Sequence, residues 1–457
     1  MKPLKALKYL LVSVLLLLLG WSIRYCWQSF PIAAGFGAKV VCSGVFLSGR
    51  QADEIIAHDL SFAPLNLLNC RVDDADSSVT CTMLGFTPRK AIYRQGLGAT
   101  LLSELPEEEV RAQRFRMAVP PLPSSDSLPW PAGEGAPPPA ENRPLQAALD
   151  SFFVEKDPEH PVYTRAVVVI HEGRLVAEKY APGFTKDSRL PGWSMTKTIT
   201  GTLAGILVGQ KKLAVDDPAP VPEWAAAGDP RHAITLKHLL QQTSGLDFEE
   251  EYSRNSDATR MLFRRADMGG YTAAHPLKEP PGSRFYYSSG NSNILSRIIR
   301  QTVGEQAYHA FPYEQLFYKL GMYHTVLEPD PSGTYVGSSY GFASARDWAR
   351  LGLLYLNDGL WNNERILPEG WVQQAVTPAP AAPQGEYGFQ LWLNRGGRGT
   401  DRLFPKLPAD LYFADGFRGQ NVFIFPSQRL IVVRLGLARN PDADMERYLS
   451  HLLRAAR

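Results

Sequence analysis

The sequence is poor in cysteine and carries no excess of either charge. Its 457 residues include only four cysteines, and 48 Lys and Arg stand against 46 Asp and Glu, a formal net charge of +2. Nucleic-acid-binding proteins usually concentrate basic residues on one face, so we expect no nucleic-acid partner. There is no Cys-x-x-Cys pair, no His-Glu-x-x-His spacing and no glycine-rich phosphate loop. We therefore expect no metal and no cofactor.

One long apolar run stands at the amino terminus, over residues 9–23. It is closed by Arg24 and preceded by three lysines, Lys2, Lys5 and Lys8. The run is shorter than the roughly 20 residues of a comfortable membrane span and matches a signal-peptide core. Basic residues ahead of the run favour an amino terminus that stays in the cytoplasm while the rest is exported. We expect residues 1–27 to be a signal anchor or signal peptide, and we favour the anchor. The protein would then lie in a bacterial inner membrane, with the rest of the chain on the periplasmic side.

All four cysteines lie in the first fifth of the chain. In an oxidising compartment, Cys42, Cys70 and Cys81 could pair. Cys70 and Cys81 are eleven residues apart and flank a turn-like stretch of Asp and Ser, so a disulfide could close a hairpin there. Buried free thiols are the alternative.

Composition divides the remaining chain into three parts. Residues 38–117 form a small region of unknown role, in which we expect a strand over 40–47 and a helix over 107–117. Residues 118–144 are an extended proline-rich linker, because proline at this density forms neither helix nor central strand. Its prolines are Pro120, Pro121, Pro123, Pro129, Pro131, Pro137, Pro138, Pro139 and Pro144. Residues 145–457 form the main domain.

The main domain reads as strands, then helices, then strands. A β-hairpin is expected over residues 166–180, where Glu172-Gly173 supplies the turn. Strands return at residues 411–414, 421–425 and 430–435. This order predicts the α/β (α+β) class: one antiparallel sheet that both ends of the domain complete, flanked by helices, with a helical insertion.

The strongest chemical signal is Ser194-Met195-Thr196-Lys197. Positions i and i+3 share a helix face, so the Lys197 amine can reach the Ser194 hydroxyl. A serine needs a base to take its proton, and burial makes a lysine a better base by disfavouring its charged form. A capping serine beside a solvated lysine is the alternative, yet this is the chain's only Ser-x-x-Lys.

Two later segments strengthen the catalytic interpretation. Residues 284–295 place Tyr287 in a loop that leads into a helix, where a tyrosine could relay protons. Residues 414–426 form a strand, a glycine-bearing turn and a second strand. Glycine at such an edge permits close approach of a substrate.

These segments, in this order, resemble the serine β-lactamase and penicillin-binding-protein superfamily. The resemblance covers residues from about 145 to 440 and is strongest to the class C-type branch, with its esterases, D-aminopeptidases and 6-aminohexanoate-dimer hydrolases. Further segments resemble motifs of that branch: HLLQQTSGL at 238–246, SARDWARLGLL at 344–354 and YGFQLW at 387–392.

The resemblance implies a role for each motif. Ser194 would be the acylated nucleophile, and Lys197 and Tyr287 its general bases. The amides of Ser194 and Phe417 would form the oxyanion hole, next to Gly416 in the strand motif.

Two departures bear on the substrate. The family's Tyr-x-Asn here ends in Ser289, which removes the amide that grips a β-lactam or peptide carbonyl. The family's Lys/His-Thr-Gly here reads Ala414-Asp415-Gly416, without the cation that meets a substrate carboxylate. If Asp415 faces the cleft, it would repel anionic substrates. We therefore expect a serine hydrolase acting on a small ester or amide.

Other functions remain as alternatives. The first is a β-lactamase or penicillin-binding DD-peptidase, and the second is a non-catalytic binding module of the same fold. Such a module would be expected to lose Ser194, Lys197 or Tyr287, and all three are present. An α/β-hydrolase is disfavoured, because the sequence around Ser194 lacks the second glycine of the nucleophile elbow.

Overall fold

The computed structural model describes residues 2–119, 128–135, 142–397, 402–439 and 444–456. Its strands are β1 Leu68–Asp73, β2 Ser78–Met83, β3 Phe86–Arg94, β4 Gly98–Leu101, β5 Ala166–His171, β6 Arg174–Tyr180, β7 Leu190–Pro191, β8 Val326–Leu327, β9 Gly341–Ala343, β10 Leu360–Trp361, β11 Glu364–Arg365, β12 Trp392–Leu393, β13 Tyr412–Gly416, β14 Gln420–Phe425 and β15 Leu430–Leu435.

The α-helices fall mostly between β6 and β12. They are α1 Lys2–Cys42, α2 Ala52–His58, α3 Glu107–Ala112, α4 Arg143–Asp150, α5 Thr196–Gly209, α6 Leu236–Leu240, α7 Asp257–Arg264, α8 Met268–Ala273, α9 Ser289–Val303, α10 Glu305–Tyr308, α11 Tyr318–Leu320, α12 Ala345–Leu356, α13 Trp371–Ala375 and α14 Met445–Ala455.

The chain divides into two compact units. The first consists of Met1–Arg111 with Glu249–Ala266, and the second of Ala112–Phe248 with Asp267–Arg457. Much of the predicted linker lies outside the described residues, including Pro120, Pro121, Pro123, Pro137, Pro138 and Pro139. Its described central part is a short turn closed by a bridge between Pro129 and Gly135.

In the first unit, α1 packs on a four-stranded antiparallel sheet of order β1-β2-β3-β4. Cys70 and Cys81 are opposite each other in the β1–β2 register and are joined by a disulfide.

The strand predicted over residues 40–47 is wrong. α1 continues to Cys42 and is followed by a π-helical turn, Ser43–Leu47. The valines at 40 and 41 are β-branched, but Ala34, Ala38 and Val41 are fully buried at helical spacing. That amphipathic face packs on the sheet and outweighs the local strand preference.

The amino-terminal part of α1 has a different environment. Its most apolar 18-residue window has a mean hydropathy of 1.8, and none of it is buried. By length and composition, this helix could cross a membrane.

The second unit is built on a six-stranded antiparallel sheet of order β12-β13-β14-β15-β5-β6. Strands from the two ends of the domain meet where β15 pairs with β5. α4 and α14 cover one face, over a core that includes Phe413, Phe423 and Val432. α12 packs on the other face, where Gly352 lies against Ile431 and Val422. The predicted fold class and the predicted hairpin are confirmed.

Candidate active site

Ser194 lies in a 3₁₀ turn, Trp193–Met195, that leads directly into α5. The first N–H groups of such a turn have no partner within it, and they carry partial positive charge. Trp193 has a positive φ of 47°, an uncommon conformation for a non-glycine residue. Gly192 precedes it, and a Cβ there would lie 2.2 Å from the Trp348 ring. This approach explains why a glycine opens the turn.

Lys197 follows Ser194 by one helical turn and is only 1% exposed. Its Nζ lies 3.1 Å from Ser194 Oγ, 3.0 Å from Ser289 Oγ and 3.2 Å from the Ser338 carbonyl oxygen. A neutral amine can donate two N–H groups to the Ser289 and Ser338 oxygens. One lone pair then remains for the third contact, so a neutral Lys197 could accept the proton of the Ser194 hydroxyl, as a general base does.

Tyr287 lies two residues ahead of α9, with its ring beside the same amine. The ring centroid is 4.6 Å from Lys197 Nζ. The ring also stacks on Trp392 at 5.4 Å and meets Tyr387 edge-on at 5.9 Å. These aromatic neighbours fix the orientation of the tyrosine.

Two buried glutamines support the Tyr287 segment, and the sequence analysis assigned them no role. Gln242 Oε1 accepts from the Ser288 N–H at 3.1 Å and from Asn291 Nδ2 at 2.9 Å, at the start of α9. Gln390 Oε1 accepts from Ser292 Oγ at 2.7 Å. Both glutamines lie within segments that resemble family motifs. Their joint function is visible only after folding brings them together.

The end of β13 contacts the chain just ahead of Ser194. A Cβ at Gly416 would lie 2.1 Å from the Gly192 carbonyl oxygen, so a side chain at position 416 would push the two segments apart. Phe417 follows and is 47% exposed. Its ring lies edge-on to Trp193, with centroids 5.7 Å apart. Ser194 and Phe417 thus belong to adjoining backbone segments.

Two buried side chains donate hydrogen bonds to the backbone carbonyls of the turn that begins at Phe417. Gln420 Nε2 donates to the Phe417 carbonyl at 3.1 Å. The Arg434 guanidinium donates to the carbonyls of Arg418 and Gly419, at 3.1 and 2.6 Å. Burial lowers the pKa of Arg434 to about 10, so the group remains a cationic donor at neutral pH. These contacts fix the path of the backbone that carries the Phe417 amide.

Asp415 lies on the face of β13 opposite to that of Gly416, because neighbouring residues of a strand alternate. It shares that face with Phe413, which packs towards α14. Its carboxylate accepts a hydrogen bond from Asn421 Nδ2 at 2.7 Å and is half-buried. Asp415 therefore lies at the sheet edge, on the far side from the Gly192 contact.

Comparison with known proteins gives consistent matches. The family model described as Beta-lactamase matches residues 149–455. A 6-aminohexanoate-dimer hydrolase of Paenarthrobacter ureafaciens is 26% identical over 309 residues, 61% of this chain and 74% of that protein. A beta-lactamase of Pseudomonas fluorescens is 30% identical over 194 residues, 40% of this chain and 51% of that protein. The crystal structure of a penicillin binding protein from Bacillus halodurans superimposes with a TM-score of 0.52 at 19% identity. That match covers 67% of this chain and 99% of the other, and it shows the fold alone.

Proposed function

The chain belongs to the Beta-lactamase family, whose members include serine hydrolases, and from that premise we propose that it cleaves an ester or amide through an acyl-enzyme on Ser194. The observation that carries the proposal is the buried amine of Lys197, 3.1 Å from the Ser194 hydroxyl and beside the Tyr287 ring. A solvated lysine next to a capping serine would not be enclosed in this way.

Acylation begins when Ser194 Oγ attacks the substrate carbonyl carbon. The hydroxyl proton passes to the Lys197–Tyr287 pair, and negative charge develops on the carbonyl oxygen. The backbone amides of Ser194 and Phe417 stabilise that charge, as preorganised donors do in an oxyanion hole. The carbon–heteroatom bond then breaks. The leaving alcohol or amine takes the proton from the pair, and the acyl group stays on Ser194.

Deacylation repeats these steps with water as the nucleophile. The same pair takes a proton from water, which attacks the acyl carbon, and the proton is returned to Ser194 Oγ as the acid leaves. No atom outside the chain, the substrate and water is required.

An unstrained ester or linear amide is the substrate that we favour. Ser289 occupies the place of the family's substrate-gripping asparagine, and its hydroxyl lies 3.0 Å from Lys197 Nζ. Position 414 is a buried alanine, so it provides no cation for a β-lactam carboxylate. The similarity to a 6-aminohexanoate-dimer hydrolase favours the same substrate class.

The proposed place of action is the outer face of a bacterial inner membrane. α1 would anchor the chain through its exposed apolar part, and the three amino-terminal lysines would stay in the cytoplasm.

A substrate panel tests the proposal directly. Purified full-length protein is assayed with chromogenic short-chain esters, with the 6-aminohexanoate dimer and with a cephalosporin. We expect ester or linear-amide turnover to exceed cephalosporin turnover by orders of magnitude and to vanish in Ser194→Ala. Ser253→Ala, at an exposed position outside the site, is the matched control and should retain full activity. Faster turnover of the cephalosporin would instead identify a β-lactamase.

A further inference from the structure

The β2–β3 hairpin of the first unit ends in exposed apolar side chains. Leu84 and Gly85 form its two-residue turn, because Met83 pairs with Phe86. Leu84 is 55% exposed, Phe86 is 66% exposed, and Leu67, just ahead of β1, is 49% exposed. Since Leu68 also pairs with Met83, all three side chains lie at one end of the sheet. We call Leu67, Leu84 and Phe86 the apolar tip.

Leucine is an unusual residue for this turn. Leu84 and Gly85 both have positive φ, 52° and 82°. That geometry is typical of a type I′ turn, in which Asn, Asp or Gly is normally found. An exposed leucine there gains nothing from burial and has a less favourable backbone conformation than asparagine would have. Folding of the hairpin therefore gives no reason for it.

The tip points towards the exposed half of α1. Near the far end of β3, the Tyr93 ring lies 6.0 Å from the Phe46 ring, just past α1. Nearer the start of β3, Arg89 pairs with Cys81 of β2. A Cβ at Gly37 of α1 would lie 3.3 Å from the Cys81 sulfur, so Gly37 is at the level of Arg89. Strand β3 thus runs alongside α1 in the same direction.

The rise per residue of a strand and of a helix shows which residues of α1 lie beside the apolar tip. Phe86 precedes Tyr93 by seven residues, about 23 Å of strand at about 3.3 Å per residue. The same distance is roughly 15 residues of helix at 1.5 Å each. Counting back 15 residues from Phe46, the tip lies near the level of Pro31. That is where α1 leaves the unit: Trp27 is 73% exposed, whereas the side chains from Ile32 onward are largely buried.

Charged side chains lie at the other end of the sheet, away from the apolar tip. The β1–β2 turn carries Asp73, Asp74 and Asp76 at the end of the sheet away from the tip. Asp76 forms ion pairs there with Lys90 and Arg111, so this end of the sheet carries charges of both signs. The unit is therefore apolar where the helix leaves it and charged at the other end.

We propose that the apolar tip inserts into the interfacial layer of the bilayer that α1 crosses. The inference rests on the proposed anchoring by α1, and it adds a second membrane contact, made by a folded hairpin. Exposed Leu and Phe side chains gain free energy by leaving water for the headgroup and acyl boundary. With the helix and the tip both in the membrane, the first unit has a fixed orientation relative to the bilayer.

Depth-dependent quenching tests the inference. The full-length protein carries Cys26→Ser, to remove a partly exposed thiol, together with Phe86→Cys labelled with an environment-sensitive fluorophore. The control carries the label at Ala75→Cys, an exposed position in the acidic turn. Both proteins are reconstituted in phosphatidylethanolamine–phosphatidylglycerol vesicles, with or without lipids that carry a shallow quencher. Flotation with the vesicles is measured on the same samples.

We expect the residue-86 label to be blue-shifted and quenched by the lipid-borne quencher, and the residue-75 label to be unaffected. Adding Leu84→Glu should reduce quenching at residue 86 several-fold. If the vesicles float with the protein while both labels report water, the tip inference is wrong and the anchor stands. If the protein fails to float after carbonate washing, the anchor is wrong and the tip inference falls with it.

Discussion

Lys197 is the residue on which the proposed chemistry depends most. Its amine is enclosed by the protein and lies within hydrogen-bond distance of the Ser194, Ser289 and Ser338 oxygens. The aliphatic stem is buried along α5, so the amine has little freedom to point elsewhere. A general base must be held within hydrogen-bond distance of the proton that it takes, and this geometry provides that.

The first prediction concerns the two proposed bases. Lys197→Ala and Tyr287→Phe should each lower kcat/KM by at least about 10²-fold, the usual cost of losing a positioned acid or base. Lys212→Ala, at an exposed lysine, should change kcat/KM little. Steady-state kinetics with the best ester of the panel measure all three, and circular dichroism checks folding. A wild-type kcat/KM in Lys197→Ala would show that Lys197 is not a general base of the reaction.

The second prediction concerns Gly416. Gly416→Ala places a methyl group 2.1 Å from the Gly192 carbonyl oxygen, so the two backbone segments must separate. The Phe417 amide moves with them, and loss of one oxyanion donor typically costs about 10²–10³ in kcat. Gly20→Ala is the matched control, because nothing lies within 4 Å of a Cβ there. An unchanged kcat in Gly416→Ala would exclude this edge from the oxyanion hole.

At this scale, sequence spacing predicted some of the geometry but not all of it. The i, i+3 relation was enough to predict that Lys197 can reach Ser194, because a helix fixes that distance. Gln242 and Gln390 come from segments 148 residues apart, and no local pattern relates them. The Ser338 carbonyl is a backbone atom, so no side-chain motif could identify it.

At the scale of elements, the described part of the predicted linker binds α12. Glu134 forms ion pairs with Arg346 and Arg350, both at 2.7 Å. Arg350 also donates to the carbonyls of Pro131 and Gly133 and lies over the Trp130 ring at 4.5 Å. The same helix carries Trp348 against Gly192, so this short segment braces the helix that supports the turn of Ser194.

The third prediction follows from that contact. Glu134→Ala removes one partner from two almost fully buried guanidinium groups, of which Arg346 keeps Glu178 and Arg350 keeps Asp347. Losing hydrogen bonds to charged groups typically costs about 1.5–3 kcal/mol. The free energy of unfolding, measured by denaturant titration in detergent, should fall accordingly. Glu364→Ala breaks the exposed pair with Lys319 and should cost less than about 1 kcal/mol. Equal effects of the two substitutions would show that residues 128–135 do not brace α12.

Elements were predictable where their pattern was decided locally. The 166–180 hairpin and the strand over Leu430–Leu435 match the structure, because β-branched runs bounded by turn residues specify them. The strand expected over residues 40–47 failed because a long-range contact, a helix face on a distant sheet, determined the conformation. The inclusion of Glu249–Ala266 in the first unit was equally beyond local patterns.

At the scale of the whole molecule, the amino-terminal helix and the disulfide favour the same cellular compartment. An exposed apolar helix behind three lysines predicts export, and the Cys70–Cys81 disulfide requires an oxidising environment to persist.

The fourth prediction tests that topology. Alkaline phosphatase fused after residue 457 should be active in a bacterial host, and a fluorescent protein that matures only in the cytoplasm should be dark at the same position. If α1 is retained as an anchor, as proposed, the protein should remain in the membrane pellet after carbonate extraction. A bright fluorescent fusion with inactive phosphatase would place the enzyme in the cytoplasm.

The central claim is that Ser194 is the nucleophile, and covalent labelling tests it most directly. Purified protein is treated with a fluorophosphonate, and the site of the adduct is mapped by peptide mass spectrometry. The account predicts a single adduct on Ser194, slower labelling in Lys197→Ala and none in Ser194→Ala. An adduct on another residue, or ester hydrolysis at the wild-type rate in Ser194→Ala, would contradict it.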